Sequence, residues 1–189
     1  MKRAAAAKAR LIAVDGIDAA AVLAAAKAAL SASAPREPVA RGGISRWDAS
    51  GIFQDLAVAD EEAGVASART LLLLYAADLA FRLRWQIRPA LAEGRTVVAA
   101  PYVDTAVAFG RAAGLPAGWL TNLFNFAPRA NERHVVSARG THATGAKEGF
   151  VGFACDRTSG GINSRTGRRV LEETSARLRR AGKRPPSRT

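Results

Sequence analysis

Cysteine is almost absent from this sequence, since Cys155 is the only one among 189 residues. An intramolecular disulfide is therefore excluded, and such sparse use of cysteine indicates a reducing, cytoplasmic location. Cys155 has no neighbouring histidine to activate it, so we predict a small packing residue. The two histidines, His134 and His142, have no cysteine or carboxylate partner at the spacing of metal ligands, and we predict no metal site.

Long apolar runs and aromatic residues are also scarce. Aromatic residues make up 6% of the sequence although 49% of it is hydrophobic, so alanine supplies much of the apolar content and favours closely packed helices. The most apolar run, 71–74, reaches Asp78 within about one helical turn and is too short to span a bilayer. Charged residues such as Lys8 and Arg10 interrupt any apolar region of signal-peptide length, so we expect no cleaved leader.

Acidic residues are too few to balance the basic ones, and the net charge is +12. Such a surface attracts anions, among them nucleic acid, acidic membranes and phosphorylated ligands, and charge alone does not choose between them. Part of the charge lies at the two ends of the chain, where basic segments are usually solvated. The length predicts one domain, 1–181, followed by a basic tail, 182–189.

The segment 10–27 has the pattern of a buried strand, a turn at Gly16 and a helix, which is the frame of a phosphate-binding loop. Counted from Gly16, the pattern G-x-x-x-x-G-K-[ST] would need Gly, Lys and Ser or Thr where the sequence has Ala21, Val22 and Leu23. The usual partners of a β/γ-phosphate and of magnesium are therefore missing. We predict an ordinary helix over 19–30 with Asp18 as its N-cap, and keep a divergent anion cradle as the alternative.

The rest of the sequence alternates helical and extended patterns. Helices are predicted at 44–59, 67–93, 102–113, 116–127 and 167–181, strands at 96–100 and 133–138, and loops at 31–43, 140–149 and 158–167. Ser67 should cap its helix and Pro89 should interrupt it, while 150–156 fits either a helix or a strand. The alternation predicts an α/β fold with a parallel sheet flanked by helices.

Several segments also carry a family resemblance when they are taken in order. They are Ile12–Asp18, Arg36-Glu37-Pro38 with Gly42-Gly43, Leu72–Asp78, Ile87–Gly94 and Tyr102–Phe109. Over 11–130 the sequence resembles bacterial thymidylate kinases, which have the three-layer sandwich of P-loop nucleoside monophosphate kinases. The resemblance implies that fold, and it implies a homodimer in which the apolar face of the helix 71–83 is a candidate surface.

The sequence departs from this family at positions that the family uses for its chemistry. The Asp-Arg that precedes the family's Tyr-Val-Asp is Ala100-Pro101 here, which removes an acid near the metal and an arginine near the phosphates. The arginine after Ala-Ala-Asp is Leu79, and a family glutamine is Gly110. Together with the missing Gly-Lys-Ser/Thr, these changes predict a thymidylate-kinase-like protein that is catalytically inactive or strongly impaired, with no catalytic residue assigned.

Ten residues are candidates for nucleotide binding: Asp15, Gly16, Asp18, Arg36, Arg41, Tyr75, Tyr102, Asp104, Arg157 and Arg165. By resemblance, Asp18 faces the acceptor nucleotide and Tyr75 replaces a phenylalanine that stacks on thymine; the alternatives are an N-cap and a core aromatic. Arg36 or Arg41 offers a bidentate fork for a phosphate. Tyr102 and Asp104 fit a helix cap or a packing residue better than a nucleotide contact, and Arg157 and Arg165 bracket a loop that weakly resembles an arginine-bearing lid.

Three functional hypotheses follow from the sequence. The first is a silent relative that binds a nucleotide, a nucleic acid or a partner protein. The second is a divergent nucleoside monophosphate kinase, in which ATP and magnesium would be cofactors and loop arginines such as Arg41, Arg157 or Arg165 would hold the phosphates. The third is a basic module that binds nucleic acid through its tails.

Overall fold

A parallel β-sheet forms the centre of the structure, a computed structural model that describes residues 9–33, 42–58, 66–136 and 148–183. Within these ranges the sheet has four strands, β1 (Leu11–Asp15), β2 (Gly43–Arg46), β3 (Val97–Ala100) and β4 (Glu132–Val135). Their order is β2-β3-β1-β4 and every pair is parallel. The predicted α/β class with a parallel sheet is confirmed.

Helices connect and cover the strands. They are α1 (Ala19–Ala32), α2 (Ile52–Val58), α3 (Ala68–Arg82), α4 (Arg88–Ala92), α5 (Val103–Ala112), α6 (Ala117–Leu123), α7 (Phe150–Ser159) and α8 (Arg165–Gly182), with a π-helical segment, Leu83–Ile87, between α3 and α4. None of the described helices is both long enough and apolar enough to cross a membrane.

The strand residues alternate between two cores, as the two-residue period of a strand requires. On β1, Leu11 and Ala13 belong to the larger core, which is shared with α3, α5, α7 and α8. Ile12 and Val14 belong to a smaller core on the other face, where Val22 of α1 packs. The sheet therefore lies between two helical layers.

Most of the predicted elements are present, and local signals explain their ends. Asp18 caps α1, because its Oδ1 accepts a hydrogen bond from the Ala21 amide at 2.9 Å. Ser67 caps α3 in the same way and accepts from the Thr70 amide at 3.0 Å. Pro89 lies in the first turn of α4, directly after the π-helical segment that interrupts the predicted long helix.

The predicted helix over 44–59 is wrong in its first half. Strand β2 occupies Gly43–Arg46, and α2 begins only at Ile52. Asp48, at φ +58°, forms the turn between them, and its carboxylate accepts hydrogen bonds from the Phe53 amide at 2.9 Å and the Gln54 amide at 3.0 Å. Strand β2 has four residues, which is too short to show the two-residue period of a strand. The helical spacing of Trp47 and the apolar residues of α2 therefore predicted a helix that begins too early.

The predicted loop over 158–167 is also too long. Helix α7 continues to Ser159 and α8 already begins at Arg165, so the connection between them is only Gly160–Ser164. The segment 150–156, which fitted either element, is helical because it lies within α7. Helix α1 extends to Ala32, past the predicted start of the loop at 31. The predicted loop arginines Arg36 and Arg41 lie outside the described residues, as does most of 140–149.

Candidate functional site

The carboxylate of Asp15 ends β1 and fixes the start of α5. Its Oδ1 accepts hydrogen bonds from the Tyr102 amide at 2.9 Å, the Thr105 amide at 3.0 Å and the Thr105 hydroxyl at 2.8 Å. The side chain lies inside the protein, since Asp15 is only 2% exposed. All three donors come from a segment about 90 residues further along the chain, so Asp15 joins the central strand to α5.

Burial raises the pKa of Asp15 from 3.8 to about 6. Loss of water around the charged form is the largest cause, and the nearby negative charge of Asp104 adds to it. The hydrogen bonds from Thr105 and Tyr102 act in the opposite direction. A buried acid therefore lies at the end of the central strand, with a second carboxylate close to it.

The turn after β1 is filled by the protein's own side chains. The Gly16 amide donates to the Thr105 hydroxyl at 3.1 Å. A Cβ placed on Gly16 would lie 2.7 Å from Cγ2 of Val22 and 3.1 Å from the carbonyl oxygen of Val136. Gly16 is therefore needed for close packing. Val22, which stands where a phosphate-binding loop has its lysine, contacts this turn from inside the smaller core.

The backbone amides in the first turn of α1 bond within the helix instead of forming an anion cradle. The Ala21 and Val22 amides both donate to Asp18, to its side chain and to its carbonyl oxygen respectively, each at 2.9 Å. Helical geometry begins at Ala19, so these amides are directed along the helix and are already bonded. The prediction of an ordinary capped helix is confirmed at this position.

A small cavity of about 60 Å³ lies beside the turn. Its lining includes Ala19, Arg46, Trp47, Pro101, Glu148 and Phe150. Ligand pockets for small molecules usually measure about 300–1,000 Å³. The rings of Trp47 and Phe150, 6.2 Å apart, occupy this region together with those of Phe53 and Phe153. The cavity beside the turn is therefore smaller than a site for a triphosphate.

A larger cleft of about 360 Å³ lies beside Asp15. Three of the ten candidates, Asp15, Tyr102 and Asp104, line it together with Phe124, Arg129 and Arg133. Asp104 forms an ion pair with Arg133 of β4. The volume is within the range of small-molecule sites, and the lining offers both charges and an aromatic ring.

Tyr75 lies beneath this cleft in the core. Its side chain is fully buried, and its hydroxyl donates to the Tyr102 carbonyl at 2.5 Å. Its ring lies 4.5 Å from that of Phe150, and desolvation raises the pKa of Tyr75. The Tyr102 hydroxyl donates in turn to the Pro128 carbonyl at 2.8 Å. Because Tyr75 has no exposed face in this structure, stacking on a base would require its ring to move.

Arg157 and Arg165 are the two remaining candidates among the described residues, and neither lines a space beside the turn. Arg157 lies over the Phe153 ring at 3.6 Å from its centroid. Arg165 is the exposed first residue of α8. Neither lines the small cavity or the larger cleft. The described residues contain no group of three or more His, Cys, Asp or Glu side chains that could hold a metal ion.

Arg82 is a buried residue that the sequence analysis missed, and it bonds to backbone segments next to the site. Arg82 is completely buried and donates to the carbonyl oxygens of Ser45 at 2.8 Å and Pro101 at 2.9 Å. Its counter-charge is Asp78, at 3.8 Å, which also accepts from the Ser50 amide and hydroxyl. The four-residue spacing of Asp78 and Arg82 in an apolar helix was the signal available in the sequence.

A parallel sheet of order β2-β3-β1-β4 between two helical layers, with a strand, turn and helix at its centre, resembles the sandwich of the P-loop kinases. The protein has the same fold as the thymidylate kinase of Ehrlichia chaffeensis, with a TM-score of 0.57 and 14% sequence identity over 68% of this chain and 71% of that one. A stretch of 57 residues, or 30% of this chain, is 42% identical to a probable thymidylate kinase of Pyrococcus horikoshii.

These comparisons show a thymidylate-kinase-like fold, as the resemblance predicted. The match to the Pyrococcus horikoshii protein spans only 28% of that relative. No protein-family model matches the sequence.

Proposed function

We propose that this chain is a thymidylate-kinase-like protein that has lost phosphotransfer, or keeps it only in strongly impaired form, and that retains part of a nucleotide-binding cleft. The observation that carries this proposal is the closed turn after β1. Its Gly16 amide is bonded to Thr105, and Val22 packs where the lysine of a phosphate loop would stand.

The cost of opening the turn supports this proposal. Unwinding the first turn of α1 would remove the Asp18 cap, which is worth about 1 kcal/mol. A cradle would then place alanines at positive φ, which costs about 1–2 kcal/mol per residue. The rebuilt loop would still have no lysine or hydroxyl, and Ala100-Pro101 would still lack the acid and arginine of the family. Because phosphotransfer depends on positioning and charge neutralisation, losses of this kind reduce the rate by many orders of magnitude.

The cleft beside Asp15 is the proposed nucleotide site. Its volume of about 360 Å³ suits a mononucleotide better than the 60 Å³ beside the turn does. Arg133 presents a half-exposed guanidinium that can exchange Asp104 for a phosphate. Phe124 supplies an apolar wall for a base. We therefore expect a nucleoside monophosphate such as TMP to bind here without ATP.

Turnover and thermal shift test the proposal together. Purified protein with ATP, magnesium and TMP should show no turnover near about 1 per second, the low end of kinase rates. TMP alone should raise the melting temperature, ATP with magnesium should not, and Arg133→Ala should remove the TMP shift. Arg46→Ala, at the small cavity, is the matched control and should keep it. Stabilisation by ATP that disappears in Arg157→Ala or Arg165→Ala would favour the divergent kinase instead.

A second copy of this chain is the proposed partner. The apolar face of the helix 71–83 was the candidate surface, but Leu71, Leu72 and Leu79 of this face are buried in the core. Three large apolar side chains remain exposed on α3 and the π-helical segment: Leu73 (50%), Phe81 (38%) and Trp85 (61%). Leu73 and Phe81 are two turns apart and Trp85 is one turn further, so they form a stripe along one side.

Sedimentation equilibrium tests this homodimer. The wild-type chain should be a dimer, and Phe81→Glu should give a folded monomer because a buried charge opposes association. Val58→Glu is the control, since Val58 is an exposed apolar residue on a different helix, α2, and is 83% exposed. A wild-type monomer, or equal dissociation by both variants, would contradict the assignment.

A further inference from the structure

A second open groove lies between α5, β4 and α8, apart from the cavity at the turn. Its volume is about 420 Å³. The charged residues that line it are Arg111, Arg133, Arg177, Arg180 and Asp104. Four cations in one groove repel each other unless anions are near, so such a cluster marks a surface that attracts negative charge.

The acids of the described residues neutralise only part of this cluster. Asp104 pairs with Arg133, and Glu173 pairs with Arg177 at 2.8 Å. Arg111 donates to the Leu115 carbonyl at 2.9 Å and forms no ion pair with another residue of the described ranges. Arg180 is exposed and forms no ion pair within the described ranges. The groove therefore keeps an excess of positive charge.

The charge of the groove continues along α8. This helix has six arginines and two glutamates in 18 residues, which corresponds to a length of about 27 Å. The exposed cations of the helix and its C-cap are Arg165, Arg168, Arg169, Arg179, Arg180 and Lys183. A ridge of this length matches about eight base pairs of a duplex, whereas a single phosphate group would contact only a small part of it.

The same surface has no large exposed apolar side chain. Among the described residues such side chains are Val58, Leu73, Phe81, Trp85 and Phe126, and none of them lies on α5, β4 or α8. A helix that binds a membrane surface inserts apolar residues into the lipid, and single-strand binding uses aromatic rings on which bases stack. The groove offers neither, so its positive charge suits a rigid polyanion as a partner.

We propose that the groove between α5, β4 and α8 binds the sugar-phosphate backbone of duplex nucleic acid, without reading its bases. Arg177 and Arg180 contact phosphates from the wall formed by α8, and Arg111 contacts them from α5. Binding is driven by release of counterions and therefore weakens steeply with salt. The proposed contacts, Arg111, Arg177 and Arg180, do not line the proposed nucleotide cleft, although Asp104 and Arg133 line both. The groove also differs from binding through the tails, because its residues belong to the folded domain.

Fluorescence anisotropy with a labelled 20-base-pair DNA duplex tests the proposal on the full chain. Arg180→Glu should weaken binding about tenfold and reduce the slope of log K against log salt by about one, as expected for a lost phosphate contact. Lys27→Glu is the matched control, because Lys27 is exposed on α1, on the opposite face of the sheet, and the variant has the same net charge. It should change the affinity less than about twofold.

Further variants separate the groove from the tail. Arg177→Ala combined with Arg180→Ala should weaken binding more than either change alone, while Arg184→Ala combined with Arg188→Ala should leave most of the affinity. Circular dichroism checks that each variant is folded. Four results would each overturn the proposal: no duplex binding at about 50 mM salt, equal losses in Arg180→Glu and Lys27→Glu, loss only in the Arg184/Arg188 variant, or tighter binding to a single strand than to the duplex.

Discussion

The charge on Asp15 should make the protein less stable at neutral pH than at mildly acidic pH. The pKa of Asp15 is raised to about 6 in the folded protein, against 3.8 for an unperturbed side chain, and burial is the main cause. The folded state therefore keeps this proton to a higher pH than the unfolded state does. Between these two values the contribution of Asp15 to the free energy of unfolding falls as pH rises, by about 3 kcal/mol in total.

Asp15→Asn isolates this effect, since an amide oxygen can still accept from Tyr102 and Thr105 and carries no charge. We expect the variant to be more stable than the wild type by about 1 kcal/mol at pH 4.5 and by about 3 kcal/mol at pH 7.5. Urea titrations followed by tryptophan fluorescence give the free energies by linear extrapolation. A difference between variant and wild type that does not change with pH would refute the reasoning.

Asp15→Leu provides the complementary control. It removes the charge and the acceptor together, so three buried donors lose their partner. Each buried unsatisfied group costs about 1–3 kcal/mol, and this variant should be less stable than the wild type at every pH. If Asp15→Leu were instead as stable as Asp15→Asn, the hydrogen bonds to α5 would contribute little and the role of Asp15 in holding the site would be wrong.

Three further predictions concern buried residues. Arg82→Ala should lower the free energy of unfolding by about 3–5 kcal/mol in urea titrations because Asp78 loses its buried counter-charge, and a loss below about 1 kcal/mol would contradict this. Gly110→Gln should not restore activity and should destabilise the protein by at least about 1–3 kcal/mol, since even a Cβ there would lie 2.6 Å from Leu120 Cδ2; a stable variant would contradict this packing. Burial raises the pKa of the Cys155 thiol to about 12, so a thiol reagent at pH 8 should modify it only as the protein unfolds, and rapid labelling of folded protein would show that it is accessible.

The elements that the sequence predicted well are those whose signals are local. Strand β1 is a short apolar run, and α1 follows from Asp18 and a series of alanines, so both can be recognised within about 20 residues. Strand β2 has no such signal. Ser45 of this strand is buried because its hydroxyl donates to Gln86 at 2.7 Å and accepts from Arg82 at 3.0 Å, and both partners come from a distant helical segment.

The residues of the candidate site also divide into those that a sequence signal indicates and those that only the tertiary structure shows. Asp15, Gly16, Tyr102 and Asp104 do lie together, because the end of β1 is bonded to the start of α5. Thr105 was missed, although it bonds to both Asp15 and Gly16, since a threonine 89 residues away has no pattern that connects it to the turn. Arg82 was missed for a related reason: charged residues in helices usually face solvent, and only the tertiary structure shows that this one is buried.

Asp15 and Gly16, at the end of β1, have roles in the fold that do not require phosphate chemistry. Asp15 bonds to the start of α5, and Gly16 allows Val22 and Val136 to pack closely. Stability alone is therefore enough to explain both residues, so their presence is weak evidence for activity. The informative positions are those where phosphotransfer and packing call for different side chains. At 21–23 and at 100–101 a kinase of this fold needs particular side chains for its chemistry, and this chain instead has Ala21-Val22-Leu23 and Ala100-Pro101, of which Val22 and Ala100 are buried.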